Sequence, residues 1–592
     1  MILLTGMLVA AGQDYTPNFE SLSNQLVWFN STNVTKLTIG NSRLVNINMS
    51  SDSSVLFFVD TNQVVVDNLV TSGCACAAVL TFFNYNAALS GSLVQLQGSK
   101  FGSAPAGGIY ITNHSLSVRD TVFDSLSGIG AIYHNNMDGS KLEVTSSNFT
   151  NLQGSSGSAI SLTRADMVVS QSHFDFCSGE SVVSINAQSS LVGQGYVNET
   201  VTIDGCSFVN NSATQSVVDM TGFEGELQQV MHVYNSNFTG NTANQMGGAV
   251  NLFSVRNVTV QGCRFEQNAA QTGLGALYVY GSLAQVTLLI VRDSFFLANN
   301  GTSLSQPDVH SVALTEAVEC GGLYASYCQC VGVVDSTFGN NTGTGLSGHG
   351  HGSTFGQCGQ SDAVLFNQST IVDASDLTSF SGFLGGGQYN DTDMGLDIRK
   401  SRFTNNSAVS ADTSQASTEY STGGAGLDIL DVELSAVSSC TFDLNVGRQG
   451  AGLSLDTCTA SIVWNCSFTG NVALQQGGAI AFVNSHSIGL LVTYSNLYNN
   501  LASNGGAIYG DAGATIVISN GTQVQANDAT GNGGGVSCDS CQSLKVQSSS
   551  DISNNLANTG GACYCNDCAV FEADDSSFWY NRYAARNMTL DA

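Results

Sequence analysis

Seventeen cysteines are spread over the 592 residues, and four of them form two matched pairs. Cys538-Asp539-Ser540-Cys541 and Cys565-Asn566-Asp567-Cys568 are offset by 27 residues, and each follows a glycine-rich run. The offset equals the spacing of the internal repeat set out below, so Cys538 is expected to stack on Cys565 and Cys541 on Cys568. Two chemistries suit this pattern. A pair of C-x-x-C elements can supply four thiolates to zinc. Cysteines one turn apart also lie within the Cα separation that a disulfide accepts. So many cysteines point to an oxidising compartment, which favours disulfides. Cys440 and Cys466, 26 residues apart, are expected to pair in the same way. The odd total leaves at least one thiol free or intermolecular. Cys328 and Cys330 fall in an irregular segment, and the sequence assigns them no partner.

Gly348-His349-Gly350-His351-Gly352 is the other cluster with chemical potential. Imidazole is a common metal ligand, so His349 and His351 are the candidate metal ligands. G-H-G also occurs in polygalacturonases, but the paired carboxylates that glycoside hydrolysis requires are not placed beside these histidines. Asn390-Asp391-Thr392-Asp393 comes after them, and Ile398-Arg399-Lys400 is not the R-I-K of those enzymes. No arginine stands beside a calcium-type carboxylate cluster, as a pectate lyase needs. No glycine-rich element follows a strand and opens a helix to cradle phosphate. The expectation is therefore an insertion loop around the histidines, with no catalytic set, no cofactor and no assigned metal.

Net charge is −29, from 45 acidic and 16 basic residues, which repels phosphate backbones and excludes nucleic acid as a partner. Met1 to Gly12 read as a short secretory apolar segment without a basic start. Elsewhere no run of apolar residues is long enough for a membrane span. Seventeen N-x-S/T sequons occur. The candidate glycan acceptors are Asn33, Asn113, Asn148, Asn198, Asn237, Asn257, Asn300, Asn367, Asn390, Asn465, Asn520 and Asn587. With the cysteines they imply a secreted or cell-surface protein.

The elements that position these residues come from a repeat. Cys440-Thr441-Phe442-Asp443-Leu444-Asn445, Cys466-Ser467-Phe468-Thr469-Gly470-Asn471 and their relatives share F-x-x-N, a polar stretch, then G-G-A and an aliphatic residue. From Phe442 through Phe468, Leu497, Val524 and Ile552 to Phe578 the spacings are 26, 29, 27, 28 and 26. Phe101, Phe123, Phe149, Phe174, Phe208 and Phe238 mark earlier copies, while the stretch from 296 to 435 keeps Phe338 and Phe403 between long insertions. Such periods mean a solenoid. Short alternating runs such as Ala479 to Val483 exclude helical repeats and leave three strands per turn. The fold class is all-β, a right-handed parallel β-helix of about twenty turns. Turns stack at ~4.8 Å, so the phenylalanines should form an inward column. The Asn of F-x-x-N should sit at a left-handed corner and ladder with the next Asn. The G-G pair, Gly477-Gly478 for example, should turn a corner with positive φ.

G-G-A-[ILV] in phase with F-x-x-N resembles the repeat of the chlamydial polymorphic outer membrane proteins, over most of residues 100 to 581. The resemblance implies a surface-displayed β-helix linked to adhesion. In that family a membrane β-barrel follows; this sequence ends near its repeat pattern, so the autotransporter route is not carried over. The organisation expected is a signal-like segment at 1–12, a cap and first turns at 13–98, regular β-helix at 99–295, β-helix with insertions at 296–435 and regular C-terminal turns at 436–592. The expected function is that of an extracellular structural or adhesive glycoprotein in a coat, filament or appendage. Its partners would be other extracellular proteins, copies of itself or glycans. The alternative is a carbohydrate-binding or polysaccharide-degrading β-helix.

Overall fold

The computed structural model describes residues 14–15, 27–30, 36–40, 42–45, 54–59, 63–74, 76–83, 92–104, 107–135, 140–186, 199–222, 229–245, 247–271, 275–281, 288–301, 320–326, 328, 330–342, 344–349, 396–408, 424–430, 432, 434–484 and 489–583. The chain divides into two compact units, 1–270 and 271–592. Among the described residues every regular element is a β-strand, and each unit is a parallel β-solenoid.

A turn of the first unit shows the plan. Asp166–Ser170 lies on a first sheet, His173–Asp175 on a second and Ser178–Asn186 on a third. The next turn places Glu199–Asp204, Ser207–Val209 and Ser212–Thr221 on the same three sheets, with Val169 opposite Ile203, Phe174 opposite Phe208 and Val183 opposite Val218. In the second unit the third side is often split: Val472–Gln476 and Ile480–Val483 are separate strands either side of a Gly-Gly corner. The first sheet contributes ten described strands to the first unit and nine to the second, slightly fewer than the twenty turns expected.

The phenylalanine column forms as its spacing predicts. In the first unit Phe101, Phe123, Phe149, Phe174, Phe208, Phe238 and Phe265 stack with ring centroids 4.4–5.0 Å apart. In the second, Phe296, Phe338, Phe403, Phe442 and Phe468 do the same at 4.5–5.0 Å. All twelve rings are fully buried. The column runs through Phe338 and Phe403 although 65 residues separate them, so the insertion leaves the core register intact.

Two hydrogen-bonded ladders run beside the column. The Asn of F-x-x-N is buried. In the second unit Asn445 donates from its backbone N–H and from Nδ2 to Asn471 Oδ1 at 3.1 and 2.9 Å, and Asn471 does the same to Asn500 Oδ1 at 3.0 and 2.9 Å. The Nδ2 also caps the carbonyl of an inward apolar residue, as Asn471 caps Phe442 O at 2.9 Å and Asn527 caps Leu497 O at 2.9 Å. The expected asparagine ladder is present, but the left-handed residue is the one before it. Leu444 (φ 54°), Ala526 (φ 55°) and Asn210 (φ 53°) precede Asn445, Asn527 and Asn211. The ladder explains the shift. An asparagine that spends its amide on the next turn is held by that bond, and the exposed preceding residue takes up the bend.

The second ladder occupies the position two before the phenylalanine. Ser147 N–H donates to Ser172 Oγ at 3.2 Å in the first unit, and Ser336 N–H to Ser401 Oγ at 3.3 Å in the second. The Gly-Gly corner is also more specific than expected. Gly477 has φ 62°, but Gly478 does not have positive φ. Gly478 is glycine because a Cβ there would lie 2.3 Å from Gly506 O and 2.7 Å from Leu501 O. Turn-to-turn contact, not backbone conformation, selects it.

Candidate functional site

The two C-x-x-C elements meet in the second unit. Val536–Asp539 pairs in parallel with Cys563–Asn566, which sets Cys538 directly opposite Cys565. Each loop has the same shape: Ser540 (φ 59°) and Asp567 (φ 57°), the residues before Cys541 and Cys568, are both left-handed. Ser540 N–H donates to Asn566 O at 2.7 Å, Ala569 N–H to Cys541 O at 3.1 Å, and Asn566 Nδ2 to Asp539 Oδ1 at 2.9 Å, so one loop is seated on the other. The sulfurs of Cys538, Cys565 and Cys568 all lie within 4.8 Å of one another. Cys538 also hydrogen-bonds to Cys541. Hydrogen bonds with Cys541 and Cys565, reinforced by burial, push the Cys538 thiol far up. The hydrogen bond from Cys538 lowers Cys565 to about 6, against its partial burial and with help from Cys568. Cys565 is thus the thiol that ionises ahead of Cys538 and Cys568 beside it. Cys563, in the same turn, was not singled out in the sequence; burial pushes its thiol up.

Cys440 and Cys466 sit in adjacent turns, as expected, and both are buried. They are members of the hydroxyl ladder. Cys440 N–H donates to Cys466 Sγ at 3.4 Å, Cys466 N–H to Ser495 Oγ at 3.1 Å, and each thiol bonds a backbone carbonyl, Ser438 O at 3.2 Å and Trp464 O at 3.3 Å. Their alignment with Ser495 in the repeat was the signal for this role. Cys328 is buried. Cys330 begins the strand Cys330–Val334, but its side chain is outside the described residues. His349 ends the strand Thr344–His349, opposite Ser326 and Leu430. Its side chain and all of His351 lie outside the described residues.

Sequon asparagines are sorted from ladder asparagines. Asn148, Asn237, Asn300 and Asn465 are exposed, and Asn113, Asn257 and Asn520 are half-buried. Asn33, Asn198, Asn367, Asn390 and Asn587 lie outside the described residues. Asn210, Asn340 and Asn405 begin further sequons, and all three are exposed although each adjoins a buried ladder asparagine.

Two surface features of the first unit had no clear sequence signal. Phe57, Phe83, Tyr110 and Tyr133, all half-buried on outward positions, form a patch with ring centroids 5.4, 5.4 and 4.9 Å apart. A shallow depression lined by Ser155, Ser178, Glu180 and Thr214 lies on the third sheet. The charge of Glu180 reaches the buried Asp219, whose carboxyl is raised to about 6, chiefly by burial and against a hydrogen bond from Asn251. In the second unit Ala436, Ile462, Leu491 and Val517, in register on the first sheet, make an apolar stripe outside the main core. Uninterrupted apolar runs such as Leu490-Leu491-Val492 were its signal, since a strand buried on both faces does not alternate.

No family model matches the sequence. No curated protein matches it either. Among solved structures, one described as the cryo-EM structure of the Vag8–C1 inhibitor complex aligns with 94% of this chain and 99% of that one, at 11% identity and a TM-score of 0.28. A superposition that loose supports no statement about this chain, whose solenoid fold rests on its own strand register.

Proposed function

We propose that the chain is an extracellular structural or adhesive glycoprotein, a β-helical component of a cell-surface coat, filament or appendage. The observation that carries this is the sorting of asparagines. Every described sequon asparagine with an assigned exposure is exposed or half-buried, and none of the buried ladder asparagines, such as Asn241, Asn445, Asn471 and Asn500, begins a sequon. The buried ladder asparagines are followed two residues on by Ala or Gly. A repeat this rich in Asn, Ser and Thr would otherwise carry sequons inside. The surface-displayed repeat that F-x-x-N and G-G-A resemble points the same way. The outward aromatic patch from Phe57 to Tyr133 suits contact with another extracellular protein or a second copy, because large rigid rings gain contact area at low entropic cost. Expression of the full chain through a eukaryotic secretory route tests this. The secreted protein should lose mass on enzymatic deglycosylation, with the glycans mapped to exposed sequons such as Asn148 and Asn237. Secretion without glycans at any of them would overturn the glycoprotein reading.

One observation favours the second reading, a carbohydrate-active β-helix: Glu180 lines a surface depression and its charge reaches Asp219 on the next turn, and glycosidases use two carboxyl groups. On the first reading polyuronides are not turned over. Cleavage abolished by Asp219→Asn would decide for the enzyme.

A further inference from the structure

We infer that Cys538, Cys541, Cys565 and Cys568 form a tetrathiolate site for a soft divalent metal ion, of which zinc is the type. Three observations converge. First, the sulfurs of Cys538, Cys565 and Cys568 lie within 4.8 Å of one another, and Cys541, at the end of the loop that Cys538 begins, hydrogen-bonds to Cys538. Three of the sulfurs form a triangle, and Cys541 adjoins it through Cys538. Zinc–sulfur bonds of ~2.3 Å demand sulfur–sulfur edges of ~3.8 Å, so the separations among Cys538, Cys565 and Cys568 need close by no more than about 1 Å. Second, both loops are pre-shaped. In each C-x-x-C the third residue, Ser540 or Asp567, takes left-handed backbone, and the loops are tied by backbone and side-chain bonds. Cross-turn disulfides 538–565 and 541–568 would need only pairwise approach. Here Cys568 reaches back over the lower turn toward Cys538, with its Sγ 3.9 Å from Cys538 O. Third, Cys538 and Cys541 are buried. Buried thiolates require a counter-charge, and a divalent ion supplies it for all four at once. Binding releases the thiol protons to solvent and changes no oxidation state. The ion would staple two successive turns where the last described turn, 563–583, is otherwise largely exposed.

The test uses the full chain, purified anaerobically with reductant and then freed of reductant. Zinc(II) should bind at one equivalent per chain and protect the four thiols from alkylation until a chelator is added. Cobalt(II) in its place should give thiolate charge-transfer absorption with tetrahedral visible bands. Cys568→Ser, at a partly exposed position, should weaken metal affinity on the order of tenfold or more while leaving the strand signal in circular dichroism unchanged. Cobalt spectra read the site without relying on the variant's folding. Reduced protein that binds neither ion, or native protein in which peptide mapping finds 538–565 and 541–568 disulfides, would overturn the assignment.

Discussion

At Gly478 a single methyl group decides whether two turns can touch. Its Cβ would meet Gly506 O at 2.3 Å, and backbone oxygen cannot swing aside as a side chain can. Gly478→Ala is therefore expected to destabilise the second unit by about 3 kcal/mol, read as a lowered denaturant midpoint with unchanged slope. An unchanged midpoint would mean the turns are further apart than described. Asn471 works through bonds instead of space. Its Oδ1 accepts from Asn445 N–H and Nδ2, and its Nδ2 donates to Phe442 O and Asn500 Oδ1. Asn471→Ala strips partners from Asn445 N–H and Phe442 O, each costing about 1–3 kcal/mol when buried. Asn471→Asp should be worse above the carboxyl pKa, because the ladder needs a donor where aspartate has none. Equal stability of the Asp and Ala variants from pH 4 to pH 8 would contradict a donor role.

At the scale of the element, the position two before the inward apolar residue of F-x-x-N carries a ladder in the second unit, and its members are interchangeable by chemistry. Ser401, Cys440, Cys466, Ser495 and Thr522 occupy successive rungs. Cys466→Ser keeps a donor and an acceptor in place, so a change within about 1 kcal/mol is expected, the same with and without reductant. If Cys440 and Cys466 are instead disulfide-bonded in the native protein, the variant should lose about 3 kcal/mol under oxidising conditions alone. Parallel thermal melts with and without reductant separate the two.

For the first unit as a whole, buried carboxyls impose a pH dependence. Burial raises Glu199 to about 7, with Arg164 opposing and Asp166 adding, and raises Asp219 to about 6. Both folded values exceed the ~3.9–4.3 of unfolded chains. The stability these groups contribute is thus fully present below pH ~4 and is lost as pH rises through 6 to 7. His134 works in the opposite sense. Burial lowers it to about 4, so its contribution is present above pH ~6.5 and fades as pH falls toward 4. The carboxyl part is isolated by difference. Relative to the Asp219→Asn, Glu199→Gln double variant, the wild type should lose melting temperature steadily between pH 4 and pH 8. Profiles that run parallel would show that neither group is buried as described.

Period and composition were enough to determine the solenoid, its three short strands per turn, the phenylalanine column and the asparagine ladder. A solenoid brings residues one repeat apart into contact, so one-dimensional spacing is nearly three-dimensional information. That is also why Cys538 and Cys565 could be placed opposite each other from an offset of 27. Tertiary structure decided what spacing does not encode. The left-handed bend falls at Leu444, not Asn445, because the buried amide is held by the turn above. Gly478 is glycine through an atom 28 residues away, at Gly506. Cys466 does the work of a serine because of the carbonyls it faces. Asp219 feels the charge of Glu180 across neighbouring turns of the third sheet, an influence between side chains that differ from repeat to repeat. Periodicity fixes which backbone positions meet. The non-repeating side chains, and so the candidate sites, take their character from burial and close approach that only the packed turns create.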